Sequence, residues 1–477
     1  MPPLPLPDRR FSGRGRGQVA ALLVTDLCVL AACACVSWYL KSLHNANLPV
    51  EQYVQILPVF LLAAAVSYGS FGLYPALGFG PADELRRLSH ATTLVFLAGV
   101  ALTFVSKAGT AWSRQVFLVA WMLGLVGIPL ARAAVRRLCC RRSWWGIPCV
   151  ILGAGETGAR VAQLLASRPW LGLRPVALLD DDASKHGGAL AGCPVEGPVV
   201  AGAERLSRAG IRHGILAIPG LPASQQAAML DALGEHLRHV LITPALPGSP
   251  DVIAEPREFA NTLVLEVRQN LLRPEIRALK RIIDALGSAL GFLLFWWVFA
   301  GIALAIRLSS PGPAFYGQRR IGRDGRAFTA WKFRSMVRDA DALLNGYLER
   351  HPELRAEWER DHKLKDDPRV TWIGSLLRRT SLDELPQLWN VLNGEMSLVG
   401  PRPIVADEIP KYGDRFGLYQ KVRPGMSGLW QVSGRNDTTY AERVALDCYY
   451  TRNWSVWLDL VILARTLRVV LLGKGAY

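Results

Sequence analysis

The stretch CVILGAGETGARVAQLL, residues 149–165, runs from an apolar strand pattern through a glycine turn into a helical pattern. Gly153, Gly155 and Gly158 stand in the GxGxxG register, in which glycines allow a tight turn and let a phosphate approach the backbone. The apolar strand VALLD follows and ends at Asp180, where such units carry an acid that binds ribose. This context predicts the first unit of a Rossmann-type domain.

Two later apolar runs extend the same pattern. GILAIP (residues 214–219) and HVLITP (residues 239–244) have the composition of buried parallel strands, and helical stretches separate them. We therefore predict a doubly wound domain over residues 144–265. Its function stays open, because glycines in such a turn serve either nucleotide binding or close packing of strand and helix. The chain has no Tyr-x-x-x-Lys pair to act as acid and base in nicotinamide-dependent sugar chemistry, which favours a regulatory or structural role.

The sequence before this domain is rich in long apolar runs. Four of them are close to the ~20 residues that cross the hydrocarbon core of a membrane. They lie near residues 18–40, 53–74, 91–106 and 115–135. The first follows arginines as a signal peptide does, but its apolar part is too long and further runs follow. We predict a four-span transmembrane domain over residues 1–143, and the 51% share of hydrophobic residues agrees with this class.

The chain carries 55 Lys and Arg against 39 Asp and Glu, a net charge of +16. Such an excess suits nucleic acid, an anionic membrane surface or a phosphorylated substrate. Basic residues crowd the N-terminus, the second loop and the segment after the fourth apolar run, which predicts that both ends of the four-span unit are cytoplasmic. No nucleic-acid-binding module, P-loop, GxSxG or HExxH motif occurs, so no nucleic acid partner is predicted. The eight cysteines contain no CxxC pair and predict reduced thiols.

A fifth apolar segment, residues 282–306, is long enough to cross the membrane once, yet basic residues flank it on both sides. Hydropathy alone favours a plain fifth span. The flanking charges favour instead a re-entrant helix, over about residues 280–308, that enters and leaves on one face. Such a helix must bend, and the backbone groups freed by the bend must be satisfied by protein. Gly287, Gly291 and the Trp296–Trp297 pair are the candidates for the bend.

The stretch LDELPQLWNVLNGEMSLVGPRP, residues 382–403, places Asp383 and Glu384 side by side near arginines. Ser381 followed by Glu384 fits a capping box, which predicts that a helix begins here with both carboxylates at its positive end. Neighbouring side chains on a helix diverge by roughly 100°, so the two cannot face one atom. We expect divided roles, in which one carboxylate attacks phosphorus and the other holds a divalent cation. Ordinary capping residues are the alternative.

Five polar motifs lie in the last third of the chain: GQRRIGRDG, WKFRSM, DDPRVTWIGSLLRRTSLDELPQLWN, GEMSLVGPRP and KVRPGMSGLWQVSGRND. They resemble the monotopic polyprenyl-phosphate phosphoglycosyl transferases, a family of bacterial sugar transferases, in the large membrane form. The resemblance covers essentially the whole chain and implies a mainly helical catalytic domain over residues 266–477. It implies transfer of a hexose 1-phosphate from a UDP-sugar to undecaprenyl phosphate with release of UMP, and it favours galactose, with glucose as the nearest alternative. This is the first membrane step of O-antigen or exopolysaccharide repeat-unit synthesis.

The resemblance also implies roles for single residues. Asp383 matches the family's nucleophile, which forms a covalent phosphosugar-aspartyl intermediate, and Glu384 matches the partner carboxylate associated with Mg²⁺. Further residues fall on positions that the family uses around the phosphates and the active site: Lys332, Arg334, Arg378, Arg402 and Asp447. A solvated lysine and ion-paired arginines are the alternatives for the first three. The family's re-entrant helix bends at a Ser-Pro pair, whereas Ser310-Pro311 here follows the apolar run.

We therefore predict a multi-pass enzyme of the bacterial inner membrane with mixed α and α/β folds. Its Rossmann-like and catalytic domains are predicted to be cytoplasmic. Its predicted partners are a UDP-sugar, undecaprenyl phosphate and membrane lipid. A homodimer and a nucleotide bound at the GxGxxG turn and Asp180 are left open. A nucleotide-sensing membrane regulator is the competing hypothesis, but it leaves the cluster from Asp383 to Arg402 without a role.

Overall fold

The computed structural model describes residues 14–44, 50–105, 113–243, 254–259, 262–267, 270–337, 340–351, 367–433 and 438–472. These residues belong to two compact units, Met1–Pro247 and Gly248–Tyr477. The first unit contains the N-terminal helices and a six-stranded sheet, and the second contains two-stranded sheets and one long helix. This division does not test the domain limits predicted near residues 143 and 265, which stay predictions.

Four long helices form the N-terminal part of the first unit: α1 (Arg14–Ser42), α2 (Val50–Ser70), α3 (Pro81–Val105) and α4 (Arg114–Cys139). All four predicted spans fall on these helices, but α3 begins at Pro81 rather than near residue 91. Tyr68, Leu88 and Ile128, from three different helices, are buried in one cluster. Helices that are apolar on most faces are stable where they contact one another inside and lipid outside.

Within the described residues, four helices are long and apolar enough to cross a membrane: α1, α2, α4 and a later helix, α8 (Pro274–Ser309). The third predicted span lies in α3, which is outside this set and carries Asp83 and Glu84 in its first turn. Length and composition therefore support three of the four predicted N-terminal spans, together with the fifth apolar segment.

A buried ion network joins α1, α3 and α4. Arg132 donates two hydrogen bonds to Asp26, at 2.8 and 2.6 Å, and its third nitrogen lies 3.1 Å from Glu84. Arg136 contacts the same Glu84 at 2.8 Å and donates to the carbonyl oxygen of Trp170 at 2.6 Å. Buried charges need such partners because their desolvation is costly. Arg132 and Arg136, which sequence reasoning counted only among the basic residues after the fourth run, are thus part of the packing.

The sheet of the first unit has the order β3-β4-β2-β1-β5-β6. Its strands are β1 (Ile147–Leu152), β2 (Leu173–Leu179), β3 (Ala189–Leu190), β4 (Cys193–Glu196), β5 (His213–Leu216) and β6 (His239–Ile242), with helices α5 (Glu156–Ser167), α6 (Val199–Arg208) and α7 (Ala223–Gly234) between them. All pairings are parallel except that of β3 with β4. The predicted parallel, doubly wound sheet is confirmed. Strands β3 and β4 escaped prediction because β3 has only two residues and β4, with the sequence CPVE, has no continuous apolar run.

The second unit combines many helices with three small sheets. After α8 its helices are α9 (Ala340–Arg350), α10 (Trp372–Thr380), α11 (Gln387–Asn393), α12 (Ile409–Tyr412), α13 (Phe416–Tyr419), α14 (Tyr440–Asn453) and α15 (Val456–Leu472). Its strand pairs are β7 (Ala254–Phe259) with β8 (Thr262–Val267), β9 (Phe315–Ile321) with β10 (Ala327–Phe333), and β11 (Ser397–Val399) with β12 (Gly425–Ser427). The first two pairs are antiparallel and the third is parallel.

Helix α8 is continuous over 36 residues, which makes it about 54 Å long. It is helical across the positions proposed for a bend, and its two central glycines serve packing instead. A Cβ at Gly287 would lie 2.7 Å from Leu398, and one at Gly291 would lie 3.3 Å from Leu388. The bend is therefore not seen in this fully described segment, and the re-entrant topology stays a prediction.

Candidate active site

Asp383 and Glu384 lie in a single 3₁₀ turn, Leu382–Glu384, between α10 and α11. The predicted capping box is wrong. Ser381 has a φ of 56° and ends α10 as its C-cap, with no side-chain cap, and α11 begins only after Pro386. The segment between α10 and α11 is short. Ser381 therefore ends α10 and does not begin α11. The carboxylates therefore face the negative end of α10, where Arg378 and Arg379 supply positive charge.

Lys332 joins the two carboxylates from a distant part of the sequence. It lies on β10, and its Nζ is 2.7 Å from Glu384 Oε1 and 3.8 Å from Asp383 Oδ2. The side chains of Lys332, Asp383 and Glu384 are 24%, 14% and 35% exposed. The structure thus brings three of the predicted site residues together, with the ammonium held unequally between the two acids.

Asn390 positions this cluster and was not identified from the sequence. It is fully buried in α11. Its Oδ1 accepts from the backbone nitrogen of Trp331 at 3.0 Å, and its Nδ2 donates to the Thr329 carbonyl at 2.7 Å and to Glu395 at 2.6 Å. A buried amide needs all of these partners. Because Trp331 precedes Lys332, the amide fixes β10 against the helix that follows the carboxylates. An asparagine among the apolar residues of LWNVLN was the available signal.

Burial raises the pKa of Asp383. The charge of Lys332 opposes this rise, that of Glu384 adds to it, and that of Arg378 opposes it. A carboxylate with a raised pKa is a better nucleophile than an ordinary surface aspartate. Asp383 therefore combines limited exposure with an oxygen that is only weakly engaged by the lysine.

Arginines surround the carboxylates. Arg378 donates from Nε to Ser335 Oγ at 3.0 Å, and its charge acts on Asp383. Burial lowers the pKa of Arg320, the nearby charge of Arg402 lowers it further, and the charges of Glu408 and then Glu384 oppose this. Arg320, in the motif GQRRIGRDG, is therefore a further site residue that sequence reasoning quoted without singling it out. Guanidinium groups suit phosphate because they donate in pairs.

Two other predicted residues lie behind this cluster. Arg334 is buried and donates to the carbonyl oxygens of Pro311 and Ser310 at 3.0 and 2.8 Å, which anchors the end of α8. Asp447 is buried and accepts from Tyr412 Oη at 2.8 Å. Burial raises the pKa of Asp447 to about 8. Their contacts are those of positioning residues, and a direct contact with substrate stays a prediction for both.

The oxygens of Asp383 and Glu384 are hard donors of the kind that Mg²⁺ prefers, and protein sites for this ion commonly use one or two carboxylates together with substrate phosphates. Within the described residues, no group of three or more His, Cys, Asp or Glu side chains is placed to hold a metal ion. The pair therefore fits Mg²⁺ only as part of a site that substrate completes.

The GxGxxG turn forms a second candidate site, in the first unit. Gly153 has a φ of +106°, and a Cβ on Gly158 would overlap the carbonyl oxygen of Gly153. Asp180 accepts from the Ala154 nitrogen at 2.7 Å and from Lys185 at 3.1 Å. A cavity of about 380 Å³ adjoins Gly153, Gly155 and Asp180. Gly153 and Gly158 therefore allow close packing, which was one of the two alternatives for this turn. Nucleotide binding at the turn stays a prediction.

Comparison with known proteins decides the family. Residues 275–473 match the bacterial sugar transferase family, and residues 70–244 match a CoA-binding domain. A UDP-galactose-lipid carrier transferase of Erwinia amylovora is 37% identical over 403 residues, which cover 83% of this chain and 82% of that protein. The chain belongs to the bacterial sugar transferase family. The family predicted from the motifs is thereby confirmed.

Other relatives of this sugar transferase carry related names. The undecaprenyl-phosphate galactose phosphotransferase of Salmonella typhimurium is 37% identical over 400 residues, covering 83% of this chain and 82% of that protein. The UDP-glucose:undecaprenyl-phosphate glucose-1-phosphate transferase of Xanthomonas campestris is 28% identical over 475 residues, covering 96% of this chain and 94% of that protein. The similarity therefore extends over the N-terminal helices and the sheet as well as the transferase unit.

Proposed function

We propose that this sugar transferase moves galactose 1-phosphate from UDP-galactose to undecaprenyl phosphate and releases UMP, in the first membrane step of O-antigen or exopolysaccharide repeat-unit synthesis. Two relatives at 37% identity are named for galactose, whereas two relatives named for glucose are 28% and 33% identical. The observation that carries the proposal is the ammonium of Lys332 between the carboxylates of Asp383 and Glu384.

The reaction proceeds in two displacements at phosphorus. A carboxylate oxygen of Asp383 attacks the phosphorus that bears the sugar, an Asp383 O–P bond forms, and UMP leaves with the electron pair of the broken P–O bond. A phosphate oxygen of the lipid then attacks the same phosphorus, and the Asp383 carboxylate leaves with its electron pair. No proton has to move. Asp383 suits this role better than Glu384, because Lys332 lies 3.8 Å from the first and 2.7 Å from the second.

Cations around the dyad stabilise the charge on the phosphoryl group. Lys332, Arg320, Arg378 and Arg402 bind phosphate oxygens of the donor and hold the diphosphate in line with Asp383. Glu384 would hold a bound Mg²⁺, which would supply charge neutralisation at the phosphate oxygens. Binding and charge neutralisation, rather than acid and base steps, therefore account for catalysis.

The second unit presents apolar side chains that suit a membrane surface. Trp296 and Trp297 on α8, Trp372 on α10 and Trp389 on α11 are exposed. Asp284, in the first third of α8, and Ile306, near its end, are buried against this same unit. These contacts support a re-entrant helix on the cytoplasmic face of the bacterial inner membrane, where a lipid acceptor and a soluble nucleotide-sugar donor meet.

The test uses the full-length protein in detergent with a panel of UDP-sugars. We expect UMP release with UDP-galactose, and we expect incubation without lipid to add the mass of one hexose phosphate to a peptide containing Asp383. Asp324→Asn, at an exposed acid of the same unit, is the matched control. Turnover by a protein that never carries the phosphosugar would refute the covalent route, and a preference for UDP-glucose would reassign the sugar.

A further inference from the structure

A small cleft of about 30 Å³ lies beside the first turns of α8, in the transferase unit. Its polar lining includes Arg277, Lys280, Arg323, Lys421, Arg423 and Tyr450. Arg323 belongs to the motif GQRRIGRDG, and Lys421 and Arg423 belong to KVRPGMSGLWQVSGRND, but none of the three has a role in the proposed reaction. Asp284 and Ser397 complete the polar lining, in which five of eight side chains are basic and one is acidic.

The positive charge of this cleft is only partly neutralised. Lys280 already has two ion-pair partners. Its Nζ lies 2.8 Å from Asp284 and 2.7 Å from the buried Asp459. In the part of the chain that the structure describes, no carboxylate lies within ion-pair distance of Arg277, Lys421 or Arg423. Burial lowers the pKa of Arg423, the charges of neighbouring arginines lower it further, and the charge of Asp284 opposes this. An anion in the cleft would relieve this repulsion.

The cleft is distinct from the catalytic carboxylates, because α11 separates them. Asp383 and Glu384 precede the N-terminus of this helix, whereas Arg281 and Arg423 bind carbonyl oxygens at its C-terminus, those of Val391, Leu392 and Gly394. Seven residues of helix correspond to about 10 Å.

The position of the cleft on α8 indicates what occupies it. Arg277, Lys280 and Asp284 lie on the face of the helix that turns toward the protein. On the other face Ile282 and Leu286 are 56% and 67% exposed and begin the apolar stripe. The cleft therefore adjoins the place where α8 meets lipid headgroups. A volume of about 30 Å³ exceeds the roughly 10–15 Å³ that one water molecule requires, so single phosphate oxygens can enter.

We propose that this cleft binds a phosphate group, presented by an anionic phospholipid at the start of α8. Arg277, Arg323 and Lys421 donate to the phosphate oxygens from the rim, and Arg423 supplies charge from below. The proposal goes beyond the transfer reaction and does not depend on it. Inorganic phosphate offers the same oxygens, so the experiment compares the two sources.

The test follows the thermal unfolding midpoint of the full-length protein in a neutral detergent. Phosphatidylglycerol, phosphatidylcholine and inorganic phosphate are titrated separately into wild type, the double variant Arg277→Gln/Lys421→Gln and the control Arg326→Gln. Arg326 is an exposed arginine outside the cleft. We expect phosphatidylglycerol to raise the midpoint of wild type and of the control, and the double variant to need about tenfold more lipid or higher. Phosphatidylcholine should have no effect.

Each outcome decides the proposal. If inorganic phosphate raises the midpoint and phosphatidylglycerol does so no better, the site binds phosphate and the lipid source is wrong. If neither ligand distinguishes the double variant from wild type, the proposal is overturned. Should the double variant unfold at lower temperature without ligand, Lys421→Gln alone replaces it, because Lys421 is exposed at the rim. None of these measurements uses sugar transfer, so they stand apart from the proposed reaction.

Discussion

Two clusters in the transferase unit each place one lysine between two carboxylates. In the buried cluster, Lys280 Nζ lies 2.8 Å from Asp284 and 2.7 Å from Asp459. In the catalytic cluster, Lys332 Nζ lies 2.7 Å from Glu384 and 3.8 Å from Asp383. Both clusters contain one ammonium group and two carboxyl groups. The difference lies in burial and in how many acceptor atoms already have donors.

In the buried cluster every carboxylate oxygen has a partner. Asp284 also accepts from Ser397 Oγ and from the Leu398 nitrogen, at 2.7 and 3.1 Å. Asp459 also accepts from Tyr450 Oη and Trp454 Nε1, at 2.8 and 3.1 Å. Such a cluster holds α8, β11, α14 and α15 together but has no oxygen left for chemistry. The catalytic cluster is partly exposed and its lysine is shared unequally, so Asp383 keeps an oxygen for phosphorus.

The largest effect is expected at the nucleophile. Asp383→Asn removes the attacking oxygen's charge, and we expect UMP release to fall by about 10⁴-fold or more. The thermal unfolding midpoint should stay close to wild type, because the side chain is partly exposed and only loosely paired. Assays of UMP and of unfolding on the same preparation measure both, with Asp324→Asn as control. Activity within tenfold of wild type would contradict the assignment of Asp383.

A substitution in the buried cluster should lower the free energy of unfolding. Lys280→Met leaves two buried carboxylates without their cation, and we expect a loss of about 3–5 kcal/mol in the free energy of unfolding. Thermal unfolding of the full-length protein measures this against Lys332→Met, for which we expect less than about 1 kcal/mol. If the two variants were equally stable, the contrast between a structural and a catalytic lysine would not hold.

Lys332→Met should show the reverse behaviour. Removing the ammonium leaves Asp383 and Glu384 to repel each other and removes a phosphate contact, so we expect kcat/KM to fall by about 10²-fold. Steady-state UMP release is the measurement. Lys411→Met, at an exposed lysine of the same unit, is the control and should retain wild-type rates.

The pH profile sharpens the same comparison. Asp383 must be ionised to attack, and burial raises its pKa above the ordinary 3.8. Activity should therefore fall as the pH drops through this raised pKa. Because Lys332 lowers the pKa of Asp383, the acidic inflection of kcat/KM should move to higher pH in Lys332→Met and stay in place in Lys411→Met. An inflection that does not move would mean that another group controls the profile.

The smallest effect is expected at Asp447, whose pKa burial raises to about 8. At pH 7 most of this side chain is protonated in the folded state, so Asp447→Asn should change activity by less than about threefold. The folded pKa lies above the unfolded one, so the stability from this group is complete below about 4. It is lost as the pH rises through about 8. Unfolding midpoints between pH 5 and pH 9 should decline in wild type and less steeply in the variant.

Prediction from sequence succeeded where the pattern is local. Residues 149–165 predicted a strand, a turn and a helix, and the parallel sheet followed, because burial of a strand or helix face leaves a short repeat in the sequence. The adjacent carboxylates were equally visible. The capping box at Ser381 failed because the same residue types serve a helix start and a tight connection.

Sequence reasoning did not identify the pairings between residues far apart in the chain, although it singled out Lys332 itself. Lys332 is separated from Glu384 by 52 positions, and Lys280 is separated from Asp459 by 179. The role of Asn390 depends on backbone groups of β10, and that of Arg320 depends on its nearness to Arg402. None of these pairings leaves a periodic trace, so only the packed chain reveals them.

The sequence by itself determined the kinds of element, the family to which the chain belongs and the acids available for attack, since these depend on residue type and short spacing. Only the tertiary structure decided which lysine is structural and which serves the dyad. It also buried Asp447 and Arg334 behind the site and gathered the arginines into a cleft at the start of α8. The physical reason is that desolvation and hydrogen-bond saturation depend on neighbours in space, and these decide whether a charge stabilises the fold or performs chemistry.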